Sequence, residues 1–278
     1  MRALSDELPD VLERTRARWR DGEAFPGAHT TLDDLDALIG GIEPGTVTVI
    51  GAPSGFLVSS IAATITLGLA RTTPVIYRIA GRASADVGMH LLAAQARVSV
   101  SSLCSGRLTS DEWRRLDHAA ARPDASQIWL DSLPPETMGN SSDLWYRRVI
   151  GTGEPGVVLF DRLRHDHGWC TPGSSSHGSA ERPVSRASGQ AAVIVLVETR
   201  GRVADVALLK VGDLPEIDSL WEIADTVLLV QETRQAVRSV PPRISVEISL
   251  VKHPYGVEDS CRVAYLRGIG LLANLTDD

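Results

Sequence analysis

The sequence predicts an α/β fold, a mostly parallel sheet with helices on both faces. Three observations carry this. Apolar runs of strand length recur along the chain, several without the period-two alternation of a half-exposed strand, as parallel strands covered on both sides require. Between them lie stretches whose apolar residues fall at helical spacing. The segment VTVIGAPSGFLVSSIAATITLGL, residues 47–69, then passes from a short apolar strand through a Gly/Pro/Ser turn into an alanine-containing helix, the setting in which phosphate-binding loops work.

Taken in order, residues 5–21 read as an amphipathic helix. Ser5 or Asp6 can cap it, Leu8, Leu12 and Trp19 fall near one face, and Arg14, Arg16, Arg18 and Arg20 crowd its far end, where cations suit the helix dipole. It packs either on its own domain or, as an arm, on a neighbouring subunit. A Gly/Pro break at Phe25–Gly27 ends it, so the chain divides into an N-terminal helix and linker, 1–27, and one domain, 28–278. Leu32–Ile39 is a helix closed by Gly40 and Gly41, and Thr46–Ile50 is the first strand, its helix running to about Arg71. Pro74–Ala80 is a strand, Asp86–Val98 and Asp111–Ala121 are helices, and Ile128–Leu130 and Gly156–Asp161 are strands. Ala191–Val197 and Thr226–Val230 are continuous apolar strands, and Ile244–Lys252 with Cys261–Leu266 forms a closing antiparallel pair. Residues 162–190 break the pattern: PGSSSHGSAERPVSRASG has no hydrophobic period and reads as a mobile loop.

Bulk properties narrow the function. The 278 residues are 43% hydrophobic and 23% charged, ordinary for a globular protein. A net charge of −7 argues against a surface dominated by phosphate contacts, although all but two of the 28 lysines and arginines are arginine. Cys104, Cys170 and Cys261 are too widely spaced for a zinc or disulfide framework. No run approaches the roughly 18 apolar residues of a membrane span, and the N-terminus is charged rather than signal-like, so a cytoplasmic location is expected.

The loop after the first strand lacks the residues that would hold a nucleotide. Its pattern requires GxxxxGK followed by Ser or Thr. Counting from Gly51 puts Phe56 at the second glycine, Leu57 at the lysine and Val58 at the hydroxyl. A register using Gly55 puts Phe56 at the lysine, and the only lysines, Lys210 and Lys252, lie far along the chain. Asp161 ends a buried strand, where a magnesium ligand stands in such sites; it reads equally as a strand-end residue capping the next turn.

Five segments in order resemble the C-terminal motor domain of the DnaB-type replicative helicases, a hexameric RecA-like ATPase family. TTLDDLDALIGGIEPGTVTVIGAPS is similar to its entry into the P-loop, and LLAAQARVSVSSLCSGRLTSDEWRRL to its helix, Ser-Leu-x-x-Gly-x-Leu link and Trp-containing helix. GVVLFDRL resembles its Walker B strand, VGDLPEIDSLWEIADTVLLV its SDLRESGSIEQDAD stretch, and ISLVKHPYG the hairpin ending in its Lys-Asn-Arg-x-Gly motif. The resemblance implies a RecA-like, P-loop NTPase-like fold from roughly Thr30 to Leu271. The helix at 5–21 resembles the family's linker helix, which docks on the neighbouring motor domain.

Residue by residue, the resemblance implies a vestigial nucleotide site at Ser54, Gly55, Leu57, Val58, Asp161, Glu198 and Lys252. Leu57 and Val58 replace the P-loop lysine, which reaches the phosphates, and the magnesium-binding hydroxyl; an aliphatic pair does neither. Gly81 matches the catalytic glutamate, Glu198 the polar sensor and Pro254 the arginine finger, with Lys252 surviving two places earlier. These losses imply a catalytically inactive scaffold or interaction module with no catalytic residues, no metal site and no cofactor, forming a homo-oligomer or pairing with another protein. The alternative is an active ATP-dependent DNA helicase or translocase that uses ATP and magnesium through an atypical site. Arg162, Arg164, Arg182 and Arg186 lie where the family's channel loops meet single-stranded DNA, but the net charge favours reading them as solvated loop charges.

Overall fold

The computed structural model describes residues 3–21, 27–53, 55–79, 82–122, 127–132, 156–163, 191–199, 209–214, 217–237, 243–254 and 258–275. Among these, nine strands form one sheet in the order β3-β2-β4-β5-β1-β6-β7-β8-β9. The strands are β1 (Val47–Ala52), β2 (Val75–Ile79), β3 (Ile128–Asp131), β4 (Val157–Leu163), β5 (Ala192–Glu198), β6 (Thr226–Val237), β7 (Arg243–Lys252), β8 (Asp259–Leu266) and β9 (Leu271–Asn274). Pairing is parallel from β3 across to β6 and antiparallel from β6 through β9. The expected sheet is therefore present, with a longer antiparallel flank than the one hairpin read from the sequence. Strand β4 continues to Leu163, opposite Val197, so residues 162 and 163, expected in the loop, are strand. The rest of that expected loop lies outside the described residues.

Alternation along each strand sorts side chains to the two faces. Ile50, Leu159, Ile194 and Leu196 join one buried cluster with the helices α2 (Asp33–Ile39), α3 (Gly55–Leu69) and α4 (Ser84–Ala96). Val49, Val158, Val193 and Val195 join the other with α7 (Ile217–Ile223) and Leu214. Both faces are covered, which is why the central strands read as unbroken apolar runs. Two more helices, α5 (Val100–Ser105) and α6 (Ser110–Ala120), build a satellite cluster around Val98 and Leu116.

The N-terminal helix, α1, spans Leu4–Asp21 with Pro9 inside it. Leu4, Leu8 and Leu12 stand 73%, 47% and 52% exposed, a stripe at i, i+4, i+8. The side chain of Trp19 lies outside the described residues. No described helix is long and apolar enough to cross a membrane.

The sheet order places the functional edge. β1 sits centrally, yet the chain leaving it crosses past β5 and β4 to reach β2. Strand order reverses there, and in open α/β sheets such a reversal leaves a crevice beyond the carboxyl ends of the flanking strands, here β1, β4 and β5.

Candidate functional site

Strand β1 is buried throughout and delivers the chain to this crevice through Gly51, Ala52 and Pro53. A Cβ at Gly51 would collide with the Leu214 side chain, so this glycine also makes room for the second core cluster. Ser54 lies outside the described residues, and α3 begins at Gly55. Phe56 is 39% exposed, its ring edge-on to His90 at 6.0 Å and tilted against Tyr265 at 6.4 Å. Leu57 and Val58 are 1% and 0% exposed and belong to the core. The hydroxyls of the next two residues turn back on the helix: Ser59 donates to the Gly55 carbonyl and Ser60 to the Phe56 carbonyl, each at 2.9 Å. Ser60 also meets the Tyr265 hydroxyl at 3.3 Å, and burial pushes that phenol up to about 12.

Asp161 is 2% exposed at the crevice and accepts a hydrogen bond from the Tyr77 hydroxyl at 2.9 Å. Arg82 Nη1 stands 3.7 Å from the same carboxylate oxygen, Oδ2, and donates to Ser59 Oγ at 3.1 Å. One strand over, Arg78 Nη2 lies 3.4 Å from Asp131 Oδ2, with its guanidinium 5.8 Å from the Phe160 ring centroid. Burial lowers the Arg78 pKa, against the opposing pull of Asp131.

Glu198 ends β5 opposite Ala52, and the next residue, Thr199, donates its backbone N–H to the Ala52 carbonyl at 3.0 Å. Gly55, Leu57, Val58, Asp161 and Glu198 thus converge on one end of the sheet. Lys252 does not join them. It ends β7, four strands from β4, and at about 4.8 Å per strand that is roughly 19 Å away. Its ammonium donates to the Trp221 carbonyl and lies 5.2 Å from the centroid of that ring, a cation at the last turn of α7. Arg162 is a residue of β4 whose side chain is outside the described set, as are Arg164, Arg182 and Arg186 entirely. No group of three His, Cys, Asp or Glu suited to a metal ion occurs among the described residues.

Arg82 and Tyr77 are the site residues that the sequence reading missed. The signal lies in pairing: Ile79 sits opposite Asp161, so residues just past β2 necessarily flank the end of β4. The chemistry available is limited. Leu57 offers no cation to a phosphate and Val58 no oxygen to magnesium, so the residues present do not fit magnesium-ATP in the manner of a P-loop.

A central strand feeding a helix at the reversal of a RecA-like sheet, with an aspartate two strands away, defines the core of an ATPase-type α/β domain. The DnaB-like helicase C terminal domain family matches residues 27–188, and the chain belongs to that family. The replicative DNA helicase DnaB of Leifsonia xyli subsp. xyli is 22% identical over 276 residues, covering 94% of this chain and 59% of that protein. That of Mycobacterium intracellulare is 23% identical over 76% of this chain and 39% of its own length. The chain thus spans three-fifths or less of these curated relatives. Among solved structures, the ATPase domain of G40P superposes with a TM-score of 0.79 over 99% of both chains at 16% identity. A DnaB-like replicative helicase solved with its interactions with primase gives 0.77 over 99% of this chain and 68% of that one, also at 16% identity. At such identities the superpositions establish the fold.

Proposed function

We propose that this chain is a catalytically silent DnaB-like module that works by protein association, with α1 docking on a second copy. One observation carries the first half: the positions for the phosphate lysine and the magnesium hydroxyl are Leu57 and Val58, both buried in the core. Losing charge-assisted hydrogen bonds at about 1.5–3 kcal/mol each costs a hundredfold or more in nucleotide affinity. Phe56 deepens the loss, because a side chain stands where glycine lets the backbone curl around a phosphate. Lys252, held by Trp221 of its own chain, is drawn away from service to a neighbour's site. The exposed leucine stripe of α1 supports the second half, since it leaves an apolar face open for a partner.

The test is a thermal melt with and without magnesium-ATP, paired with an ATPase assay. A ligand at a hundred times its Kd stabilises by about 2.7 kcal/mol. The expected result is no shift and no turnover above background. Magnesium-dependent turnover abolished by Asp161→Asn overturns the reading in favour of an active helicase or translocase.

A further inference from the structure

A buried carboxylate persists as an ion only where a cation or several donors stand against it. Asp161 has a side chain 1% exposed, and Leu57 and Val58 near the head of α3 are aliphatic and packed into the core, so they offer it no charge. The cation comes from elsewhere in the chain. Arg82, between β2 and α4, reaches over so that Nη1 lies 3.7 Å from Asp161 Oδ2 and 3.1 Å from Ser59 Oγ. Ser59 in turn holds the Gly55 carbonyl at the head of α3, and Tyr77 donates to Asp161 Oδ2 at 2.9 Å. A continuous polar chain therefore runs Gly55–Ser59–Arg82–Asp161–Tyr77, joining α3, the β2–α4 connection and β4 across the mouth of the crevice. Its one positive member is 18% exposed, so its attraction to Asp161 is only partly screened by water.

We propose that Arg82 is the resident counter-cation of Asp161, a latch by which the chain fills the crevice with its own charge and fastens α3 to β4. It is a positioning residue. The inference builds on the non-catalytic reading, because a crevice closed by the chain's own guanidinium has no standing need of a ligand to bridge these elements.

The experiment compares urea and thermal unfolding of the full chain as wild type, Arg82→Ala, Asp161→Asn and the double variant, without nucleotide. Arg82→Ala should lower the folding equilibrium constant at least tenfold, because it takes a guanidinium away from a buried carboxylate. Adding Asp161→Asn should restore most of that loss, since asparagine still accepts from Tyr77 and carries no charge. Arg82→Lys should retain more stability than Arg82→Gln. If the two single losses simply add in the double variant, Arg82 acts by packing alone and the latch is refuted. Should Arg82→Ala fail to fold, Arg82→Gln with and without Asp161→Asn gives the same comparison, with the same rescue required. The nucleotide melt reports separately: ATP-dependent stabilisation of the wild type sinks the non-catalytic reading, while the cycle alone decides the latch.

Discussion

At Leu57 the side chain is packed among buried residues of α3 and the sheet, 1% exposed. A lysine there would have to bury its ammonium or pull the head of α3 out of register, and an unpaired buried charge is far costlier than the leucine it replaces. Placing a lysine and a hydroxyl at 57 and 58 therefore does not by itself make a phosphate site, because both positions are packed into the core. A second buried position makes a prediction about pH. Asp36 Oδ1 accepts from both the backbone N–H and the hydroxyl of Thr30, each at 2.9 Å, and His29 Nδ1 lies 3.6 Å from Oδ2. Burial pushes its carboxyl above the usual 3.8, and the Thr30 bonds and His29 oppose that without reversing it. A carboxyl raised in this way binds its proton more tightly in the folded chain. Its stabilising contribution is complete below 3.8 and is lost as pH rises through the folded value. Asp36→Asn keeps the acceptor and discards the charge, so its melting temperature relative to wild type should climb as pH rises above 3.8 and level off once the folded carboxyl has ionised. Asp36→Ala strands two buried donors and should lose about 1–3 kcal/mol. An asparagine variant whose pH profile merely parallels the wild type would show that the carboxylate's charge carries no cost.

Two glycines inside helices predict opposite outcomes, and packing between elements decides the sign. Alanine in place of a helix-interior glycine ordinarily gains about 0.5–1 kcal/mol. At Gly88 in α4 the nearest atom to an added Cβ is Leu130 Cδ1 at 3.8 Å, an ordinary contact, so Gly88→Ala should show that gain. At Gly68 in α3 the added Cβ would collide with the carbonyl oxygen of Thr30. That backbone is pinned by Asp36 and cannot yield cheaply, so Gly68→Ala should cost about 1–3 kcal/mol. Urea midpoints of the two variants should fall on opposite sides of the wild type; a gain at Gly68 would mean that α3 slides freely past the Thr30 turn. Element signals of the same physical kind made much of the fold legible. Buried strands announced themselves because both faces are covered: β5 was read as Ala191–Val197 and is Ala192–Glu198. The run Thr226–Val230 marked only the core-packed half of β6, since Gln231–Val237 is polar and is held by pairing with β7. The short elements escaped. Six-residue α5, capped by Ser99 and ended by Gly106 at φ 68°, reads as a link, and four-residue β9 has too few positions to show a period. In the site, the apolar residue types at Phe56, Leu57 and Val58 were plain in the sequence. The Arg82–Asp161 contact was not, because it exists only once β2 and β4 are neighbours.

For the whole molecule, association turns on the exposed face of α1. Its leucines at 4, 8 and 12 expose an apolar stripe, and a helix with such a face gains stability only by burying it. If α1 docks head-to-tail on the next copy, as proposed above, the contact generates a ring where the rotation closes and a filament where it does not. In an assembly of this family's type each nucleotide sits between subunits and adds to the contact. On the non-catalytic reading proposed above the chain binds none and draws more of its association energy from the helix, so an oligomer should be weaker and strongly dependent on concentration. Among the described side chains neither core cluster draws on α1, so deleting residues 1–24 should leave both in place. The truncated protein should therefore melt cooperatively and scatter as a monomer, while the full chain grows in mass as concentration rises. Replacing Leu8 and Leu12 with Gln should reproduce most of that loss of mass, because the apolar face rather than the length of the arm does the binding. If truncated and full-length chains show the same mass at every concentration, α1 packs on its own domain in solution and association must run through another surface.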